Sequence, residues 1–447
     1  MSGMLIETLL AFAMGWSWLV WCWKFDVERS PTSTSTASNQ FGLFYGGLLA
    51  ITVLTGTASV VWNVALLWLC WAGHLVVTAM LARLIPDPAP LIIDHAEAAP
   101  PVLWKRCQAA VIASGVCGTL GLLLLVVVSG RWDLTEISAA LQPILQPTHS
   151  FGGVPHRVLI VRAAVVLILV GTGLSTFTSP LHLAAFEMLR LWPGAIAGWW
   201  LTMTRLLGLT VVWRIVQATY SGLESTIAAV AVALGVLSLV HGTISLWQSC
   251  SLRSYVARLM LLQSGLCWLA VAAEIVKPAG GVDFWQGGFD WISISWCGSS
   301  LAMLVLLGVE QSLCKTNQRL DFFDQLTGLK QHHPVATWCL LIGGLSLTLM
   351  PPLPQFWSCF TLIMGVLTPG RAVIEHAGLM PHPAIVLGLV IAATCLVAST
   401  VRTIGLLSPL VFDESLGGQH FDRRRNALAI AVVGGVLLVV AGVMPRL

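Results

Sequence analysis

The chain has 447 residues, of which 57% are hydrophobic and only 10% are charged, and its net charge is +3. Soluble domains carry about 25% charged residues. A mean hydropathy of +0.85 leaves more apolar surface than a water-soluble fold could bury. The composition therefore excludes a soluble globular protein and predicts an integral membrane protein, and the small net charge gives no sign of nucleic-acid binding.

Apolar runs long enough to cross a bilayer, which takes about 20 helical residues, recur along the whole chain. They lie near residues 4–23, 42–61, 63–83, 107–129, 158–189, 195–216, 226–247, 258–276, 291–309, 336–367, 384–406 and 427–445. Because lipid cannot satisfy a free backbone amide, each run is expected to be helical. The predicted fold is all-α, a polytopic transmembrane helix bundle of about 12 spans. If the loop at 24–41 is cytoplasmic, most Lys and Arg residues between spans lie on that side, as the positive-inside bias requires.

The cysteine pattern and the motifs limit the chemistry that we expect of the chain. The eleven cysteines fall singly, mostly within the predicted spans, without a C-x-x-C pair or a His and Cys ladder at metal-ligand spacing. We therefore expect no metal and no cofactor. The chain also carries no nucleophile motif, phosphate loop or dinucleotide fingerprint, so within an enzyme it is expected to be at most a non-catalytic subunit.

Two predicted spans are unusually long and carry proline in the middle. The run at 158–189 is interrupted at Pro180, and the run at 336–367 is interrupted at Pro351 and Pro352. Proline removes a backbone donor and clashes with the preceding turn. Irregular backbone at membrane depth is tolerated only where it is buried in protein or lines a wet cavity. A pair of broken helices is typical of inverted-repeat transporters with the ion path at the breaks; the alternative is two kinks without function.

Three stretches carry a family pattern. The first, Gly171 to Pro193, reads G-T-G-L-S-T-F-T-S-P-L-H-L-A-A-F-E-M-L-R-L-W-P and is followed by Arg205 and Arg214. The second runs from His241 to Gly265, and the third, from Thr327 to Phe360, includes S-L-T-L-M-P-P-L-P-Q-F-W-S-C-F. In this order, they resemble the antiporter-like membrane subunits of respiratory complex I, shared with multisubunit cation/proton antiporters, membrane-bound hydrogenases and inorganic-carbon uptake complexes. The N-terminal part fits poorly, so the chain is identified as a divergent member.

The resemblance implies a hydrated axis of buried lysines, histidines and a glutamate that relays protons along the middle of the bilayer. Here that axis is depleted. Ser175 and Cys359 stand where the family has ionisable residues at the two breaks, and only His74 could titrate where an earlier helix has its glutamate. Arg205 replaces a lysine, and arginine cannot release a proton near neutral pH. These departures favour a degenerate proton path.

The surviving candidates define the predicted site. The proton path or cavity is expected to involve His74, Ser175, His182, Glu187, Arg205, His241, Cys359 and Arg402, with helix breaks at Pro180, Pro351 and Pro352. Each candidate also has a plainer interpretation. His182 could gate a path or cap the broken helix, and Glu187 could simply pair with Arg190. His74 and His241 could be packed, hydrogen-bonded residues, and Arg402 could extend to the membrane border.

The domain organisation follows from the breaks. We expect a single transmembrane domain over residues 1–447, with divergent N-terminal helices at 1–106 and a C-terminal helix at 426–447. Between them lie a first repeat at 107–276, broken at Pro180, and a second repeat at 277–425, broken at Pro351, inverted relative to each other.

Four functions remain open at this stage. The first is an antiporter-like membrane subunit of a multisubunit, redox-coupled, proton-translocating complex of the NADH-quinone oxidoreductase kind. The second is the membrane partner of a bicarbonate or carbon dioxide uptake complex, and the third is a structural, non-conducting subunit. The fourth is an unrelated secondary carrier. The expected partners are lipid, other membrane subunits and a cytoplasmic catalytic subunit, in a multi-pass protein of the bacterial inner membrane.

Overall fold

The structure, a computed structural model, describes the chain in six ranges. They are residues 35–84, 100–145, 156–313, 326–360, 383–412 and 425–443, without residues 174, 183–185, 187, 190–193, 220–221, 250, 277–283, 349, 352 and 358. The span predicted at 4–23 lies outside them. Within them every regular element is a helix, and one isolated antiparallel bridge joins Asn63 and Asp133.

The helices are labelled in chain order. The first seven are α1 (Ser35–Val60), α2 (Val64–Leu84), α3 (Pro100–Ser129), α4 (Leu134–Leu145), α5 (His156–Gly171), α6 (Gly194–Thr219) and α7 (Glu224–Trp247). The others are α8 (Leu252–Val276), α9 (Phe284–Leu313), α10 (Leu329–His332), α11 (Pro334–Leu347), α12 (Pro383–Leu407), α13 (Pro409–Phe412) and α14 (Arg425–Val443). In the described ranges, six helices are long and apolar enough to cross a membrane. The all-α polytopic bundle is confirmed, whereas the count of about 12 spans stays a prediction.

The contacts within the chain divide it into two compact units. Unit 1 comprises Met1–Trp192 and Trp199–Val230, and unit 2 comprises Pro193–Gly198 and Ala231–Leu447. The predicted repeat boundaries at 107–276 and 277–425 stay predictions.

In unit 1, α3 and α5 pack closely along their length because glycines remove the side chains between them. A Cβ added at Gly121 would lie 2.6 Å from the Ala164 carbonyl oxygen, and one added at Gly171 would lie 2.5 Å from the Gly118 nitrogen. Small residues that let backbones approach closely are the usual means of helix association in membranes.

Gly118 also faces Trp71 of α2, and this contact supports a stability prediction. A Cβ at Gly118 would overlap the Trp71 ring, whereas a Cβ at Gly115, one turn earlier, would lie 3.7 Å from the nearest atom of Leu75. Overpacking a tight interior costs about 1–3 kcal/mol. We expect Gly118→Ala to lower the thermal denaturation midpoint in detergent and Gly115→Ala to leave it unchanged or raise it. Equal midpoints for both variants would contradict the packing described here.

Helix α4 was not predicted, because it lies between the apolar runs near 107–129 and 158–189. It is too short to span a bilayer and contains Pro143, but Leu134, Ile137 and Leu141 form a buried stripe along one side. Its first turn is capped by Asp133, whose carboxylate accepts hydrogen bonds from the Thr135 hydroxyl and amide. These bonds lower the pKa of Asp133 below its ordinary value.

In unit 2, α8 and α9 form the interior, since most of their surface is covered by neighbouring helices. The α7 and α8 backbones cross closely at a pair of glycines, because a Cβ at Gly235 would lie 3.0 Å from the Gly265 carbonyl oxygen. Helix α9 packs against α11 and α14, and α12 leaves most of its surface open. A buried helix pair with exposed apolar helices around it suits a lipid environment.

Candidate functional site at the two helix breaks

The first break is the non-helical segment 172–182 that follows α5, and it belongs to unit 1. Pro180 lies within it. The last carbonyl of α5, at Gly171, accepts a hydrogen bond from the Ser114 hydroxyl of α3, and the Thr178 amide donates to the Gly173 carbonyl over 2.8 Å. Protein groups therefore satisfy these two carbonyls at the break, as membrane depth demands.

Ser175 lies at the centre of this segment and is fully buried. Its hydroxyl accepts a hydrogen bond of 3.3 Å from the Trp71 indole. On the other side, α6 approaches so closely that a Cβ at Gly208 would lie 2.7 Å from the Ser175 carbonyl carbon. The position that carries a lysine in the resembling family is thus enclosed on two sides.

One side of α2 presents a polar row to the interior of unit 1. Trp71, His74 and Thr78 follow one another at helical spacing, and all three are buried. The Thr78 hydroxyl accepts a hydrogen bond of 3.1 Å from the Trp200 indole. Neither ring nitrogen of His74 has a hydrogen-bond partner within the described part of the chain, and such a group needs water or a ligand for satisfaction.

Two arginines of α6 are buried in the same unit. Arg205 is fully buried, and Arg214 is only 2% exposed. Arg214 donates to the Ser59 carbonyl oxygen over 2.6 Å, and its guanidinium lies 3.9 Å from the centre of the Trp62 ring. Arginine keeps its charge under these conditions, so both side chains supply fixed positive charge to unit 1.

His182 ends the described part of the first break and is 1% exposed. Its ring lies edge-on to Phe186 at 5.2 Å between centroids, and its backbone amide donates to the Thr178 carbonyl oxygen. Both the gating and the capping interpretation of His182 stay open. Glu187 and Arg190, which were predicted to pair, lie outside the described residues.

The second break follows α11 in unit 2 and covers residues 348–353. Amide and hydroxyl side chains of neighbouring helices satisfy its carbonyls: Gln263 of α8 donates to Leu347 over 2.7 Å, and Thr400 of α12 donates to Thr348 over 3.1 Å. Beyond the break, the Gln355 amide donates to the Ser295 carbonyl oxygen of α9. Sequence reasoning missed Gln263 and Gln355, although a lone glutamine in an apolar run is a usable signal.

The predicted residues around this break lie in different settings. Pro351 is in the turn and exposed, Pro352 is outside the described residues, and Cys359 is buried. His241 is exposed on α7. Arg402 of α12 is partly buried, with its guanidinium 5.7 Å from the centre of the Trp247 ring. Of these positions, only Cys359 is both deeply buried and close to the break. The predicted residues that the structure describes around the second break therefore do not form one cluster.

A buried ion pair is the main feature that sequence reasoning missed. In unit 2, the Arg253 Nε atom of α8 lies 2.6 Å from the Glu310 Oε1 atom of α9, and the two side chains are 12% and 1% exposed. A Cβ at Gly194, the first residue of α6, would lie 3.3 Å from the second Glu310 oxygen. The pair therefore joins two interior helices next to the start of a third.

Chemically, the two breaks offer hydrogen-bonding groups more than titratable ones. Serine, threonine, glutamine and indole groups can hold water and orient it, but they do not exchange protons near neutral pH. Among the described residues, the buried histidine and carboxylate side chains are His74, His182 and Glu310. No group of three or more metal-binding side chains occurs in the described ranges.

Sequence comparison finds relatives of one kind. The chain is 26% identical over 259 residues to NADH-quinone oxidoreductase subunit N 2 of Acidobacterium capsulatum, a match covering 55% of this chain and 47% of that protein. It is 19% identical over 275 residues to subunit N of Paramagnetospirillum magneticum, covering 61% and 51%. The matches thus span about half the length of these relatives. No protein-family model matches the chain.

Solved structures share the fold over most of the chain. A chain of respiratory complex I from Thermus thermophilus with bound Aureothin superposes with a TM-score of 0.64 at 17% identity, covering 99% of this chain and 84% of that one. The Mrp complex from Dietzia sp. DQ12-45-1b gives 0.66 at 15% identity, covering 90% and 75%. The membrane-bound sulfane sulfur reductase, an archaeal respiratory complex, gives 0.68 at 16% identity, covering 90% and 73%. The antiporter-like resemblance expected from the sequence is confirmed.

Proposed function

We propose that this divergent relative of NADH-quinone oxidoreductase subunit N is an antiporter-like membrane subunit of a multisubunit, redox-coupled, proton-translocating complex. The sequence relatives support the type of complex, and the solved structures support the fold. The observation that carries the proposal is the pair of helix breaks at which polar side chains of neighbouring helices hold the freed carbonyls. Such breaks are where transporters of this architecture build ion sites.

The proton path of this subunit is degenerate. Ser175 and Cys359 occupy the positions of ionisable residues in the resembling family, and both are buried. Arg205 holds a fixed charge and releases no proton. Of the predicted path residues that the structure describes, the buried histidines His74 and His182 remain as candidates for proton exchange. The subunit therefore contributes less to proton transfer than a family member that keeps its lysines.

The partners follow from the same proposal. Other membrane subunits cover part of the apolar surface, lipid covers the rest, and a cytoplasmic catalytic subunit supplies the redox chemistry. The expected location is the inner membrane of a bacterial cell, and the exposed apolar side chains of α2, α3, α12 and α14 support a lipid-facing periphery. The chain itself carries out no redox step.

The proposal is tested with inverted membrane vesicles from the source organism, prepared with and without the chain. NADH oxidation and the accompanying acidification are measured together, and a strain with the chain restored is the control. We expect loss of the chain to lower the number of protons moved per electron or to abolish assembly of the complex. Unchanged NADH oxidation with an unchanged proton-to-electron ratio would contradict the proposal.

A structural, non-conducting subunit is the second candidate, because Ser175 is enclosed by α2 and α6. The same vesicles separate the two functions. A purely structural subunit is required for assembly, but Arg205→Ala and His74→Asn variants that still assemble would keep the full proton-to-electron ratio. A conducting subunit would lose part of that ratio in at least one of these variants.

A further inference from the structure

Trp71 stands at a junction of three elements of unit 1. Its side chain is 1% exposed, whereas Leu69 and Val76 on the outer side of the same helix are 52% and 58% exposed. The ring lies directly against Gly118 of α3, and the indole N–H donates to the Ser175 hydroxyl at the first break over 3.3 Å. One large side chain therefore contacts α3 and the break from α2.

The surroundings of this ring are closely packed. The Gly171 and Gly118 backbones lie against each other, and Gly208 lies against the Ser175 backbone. Each glycine contact brings backbone into the space that a side chain would occupy. The Trp71 ring of α2 lies on one side of Ser175 and the α6 backbone at Gly208 lies on another, so the polar centre of the break has protein on both.

We propose that Trp71 is a plug that seals the first break of unit 1 against water and protons. The inference deepens the proposed function, because it names the residue that keeps a degenerate path closed. Protons cross a bilayer only where water or titratable groups form a continuous chain, and a large apolar ring interrupts such a chain. The seal depends on the volume of the ring more than on its single hydrogen bond.

Removing the ring should open a cavity lined by polar groups. The Ser175 hydroxyl would lose its donor, and His74, one turn along α2, already has two ring nitrogens without partners among the described residues. A polar cavity fills with water at about 30 Å³ per molecule, and Trp71→Ala leaves room for several. The water would join the Ser175 hydroxyl and the His74 ring into one hydrated region.

The test uses the purified full-length chain in liposomes that contain a pH-sensitive dye, with a potassium gradient and valinomycin driving proton entry. We expect the wild-type chain to be nearly impermeable to protons and Trp71→Ala to raise the rate of acidification by at least about tenfold. Trp71→Leu should give an intermediate rate, and Trp71→Phe, which keeps most of the ring volume but not the N–H, should stay close to wild type.

Trp68→Ala is the matched control. Trp68 lies on the same helix, is only partly buried, and its indole donates to the Thr119 hydroxyl of α3 over 3.0 Å and not to a residue of the break. We expect it to leave the chain impermeable. All variants are compared only when they elute as single, monodisperse species, and the graded Phe, Leu and Ala series provides folded variants if the smallest side chain prevents folding.

Two outcomes would overturn the plug. One is a folded Trp71→Ala or Trp71→Leu variant as impermeable as the wild type; the other is a Trp71→Phe variant as leaky as the smaller substitutions. These results are independent of the complex in which the chain works. A leak that follows side-chain size would support the plug even if no redox subunit were found with the chain, so failure of the plug and of the proposed function are distinguishable.

Discussion

Replacing Arg253 with methionine is expected to lower the free energy of unfolding by about 3–5 kcal/mol, because it leaves one partner of a buried ion pair without the other. The carboxylate of Glu310 is 1% exposed and lies 2.6 Å from the Arg253 guanidinium. Methionine preserves much of the apolar stem but supplies no charge. The remaining carboxylate must then stay charged in the interior of unit 2 or take up a proton, and both are costly.

The double variant Arg253→Met with Glu310→Gln separates the charge effect from packing. If the pair acts as described, the double variant should recover part of the loss, and the coupling is obtained from a double-mutant cycle of equilibrium unfolding in mixed micelles. Glu136→Gln is the surface control, since Arg131 and Glu136 are 3.5 Å apart and more than half exposed; its effect should be negligible. Additive effects of Arg253→Met and Glu310→Gln would show that the pair does not stabilise unit 2.

Introducing lysine at the first break is expected to destabilise the chain without raising its proton permeability. Ser175 is fully buried, bonded to Trp71 and in contact with the α6 backbone beside Gly208. A lysine there finds neither space nor water, and burying an ammonium group costs several kcal/mol. Cys359→Lys at the second break should have a similar effect, because Cys359 is also buried.

The lysine variants are examined by thermal denaturation and by the liposome assay. Ala139→Lys, on the exposed side of α4, is the control and should match the wild type in both. Combining Ser175→Lys with Trp71→Ala should restore stability in part and raise proton entry, since the lysine then gains volume and water. A Ser175→Lys variant that folds normally and conducts protons by itself would contradict the closed packing of the first break.

The positions of the helices could be predicted from hydrophobicity because bilayer thickness sets the length of each apolar run. The runs near 107–129, 195–216 and 384–406 correspond closely to α3, α6 and α12. Interruption of two runs by proline could be predicted for a local reason as well, since proline disturbs its own turn. Helix α4 could not be predicted in this way, because its apolar stripe is short and bilayer thickness does not set its length.

The contacts of the site could not be predicted in the same way because they join residues far apart in the chain. Arg253 lies between the runs predicted at 226–247 and 258–276, in a loop that the charge bias predicts to be cytoplasmic, but α8 begins at Leu252 and carries Arg253 into contact with Glu310. The contact of Trp71 with Ser175 likewise depends on how α2 packs against the first break. Only the packing of the helices shows that these residues are buried and which of them meet.

Identification of the proteins that purify with the chain tests whether it is a subunit of a redox-coupled membrane complex. The tagged chain would be extracted from its native membrane in a gentle detergent, and the associated proteins would be identified by mass spectrometry, with an untagged strain as control. We expect membrane and redox subunits of a quinone-reducing complex in fixed proportion to the chain. A chain that purifies alone, or with a zinc-binding cytoplasmic protein in place of redox subunits, would contradict it.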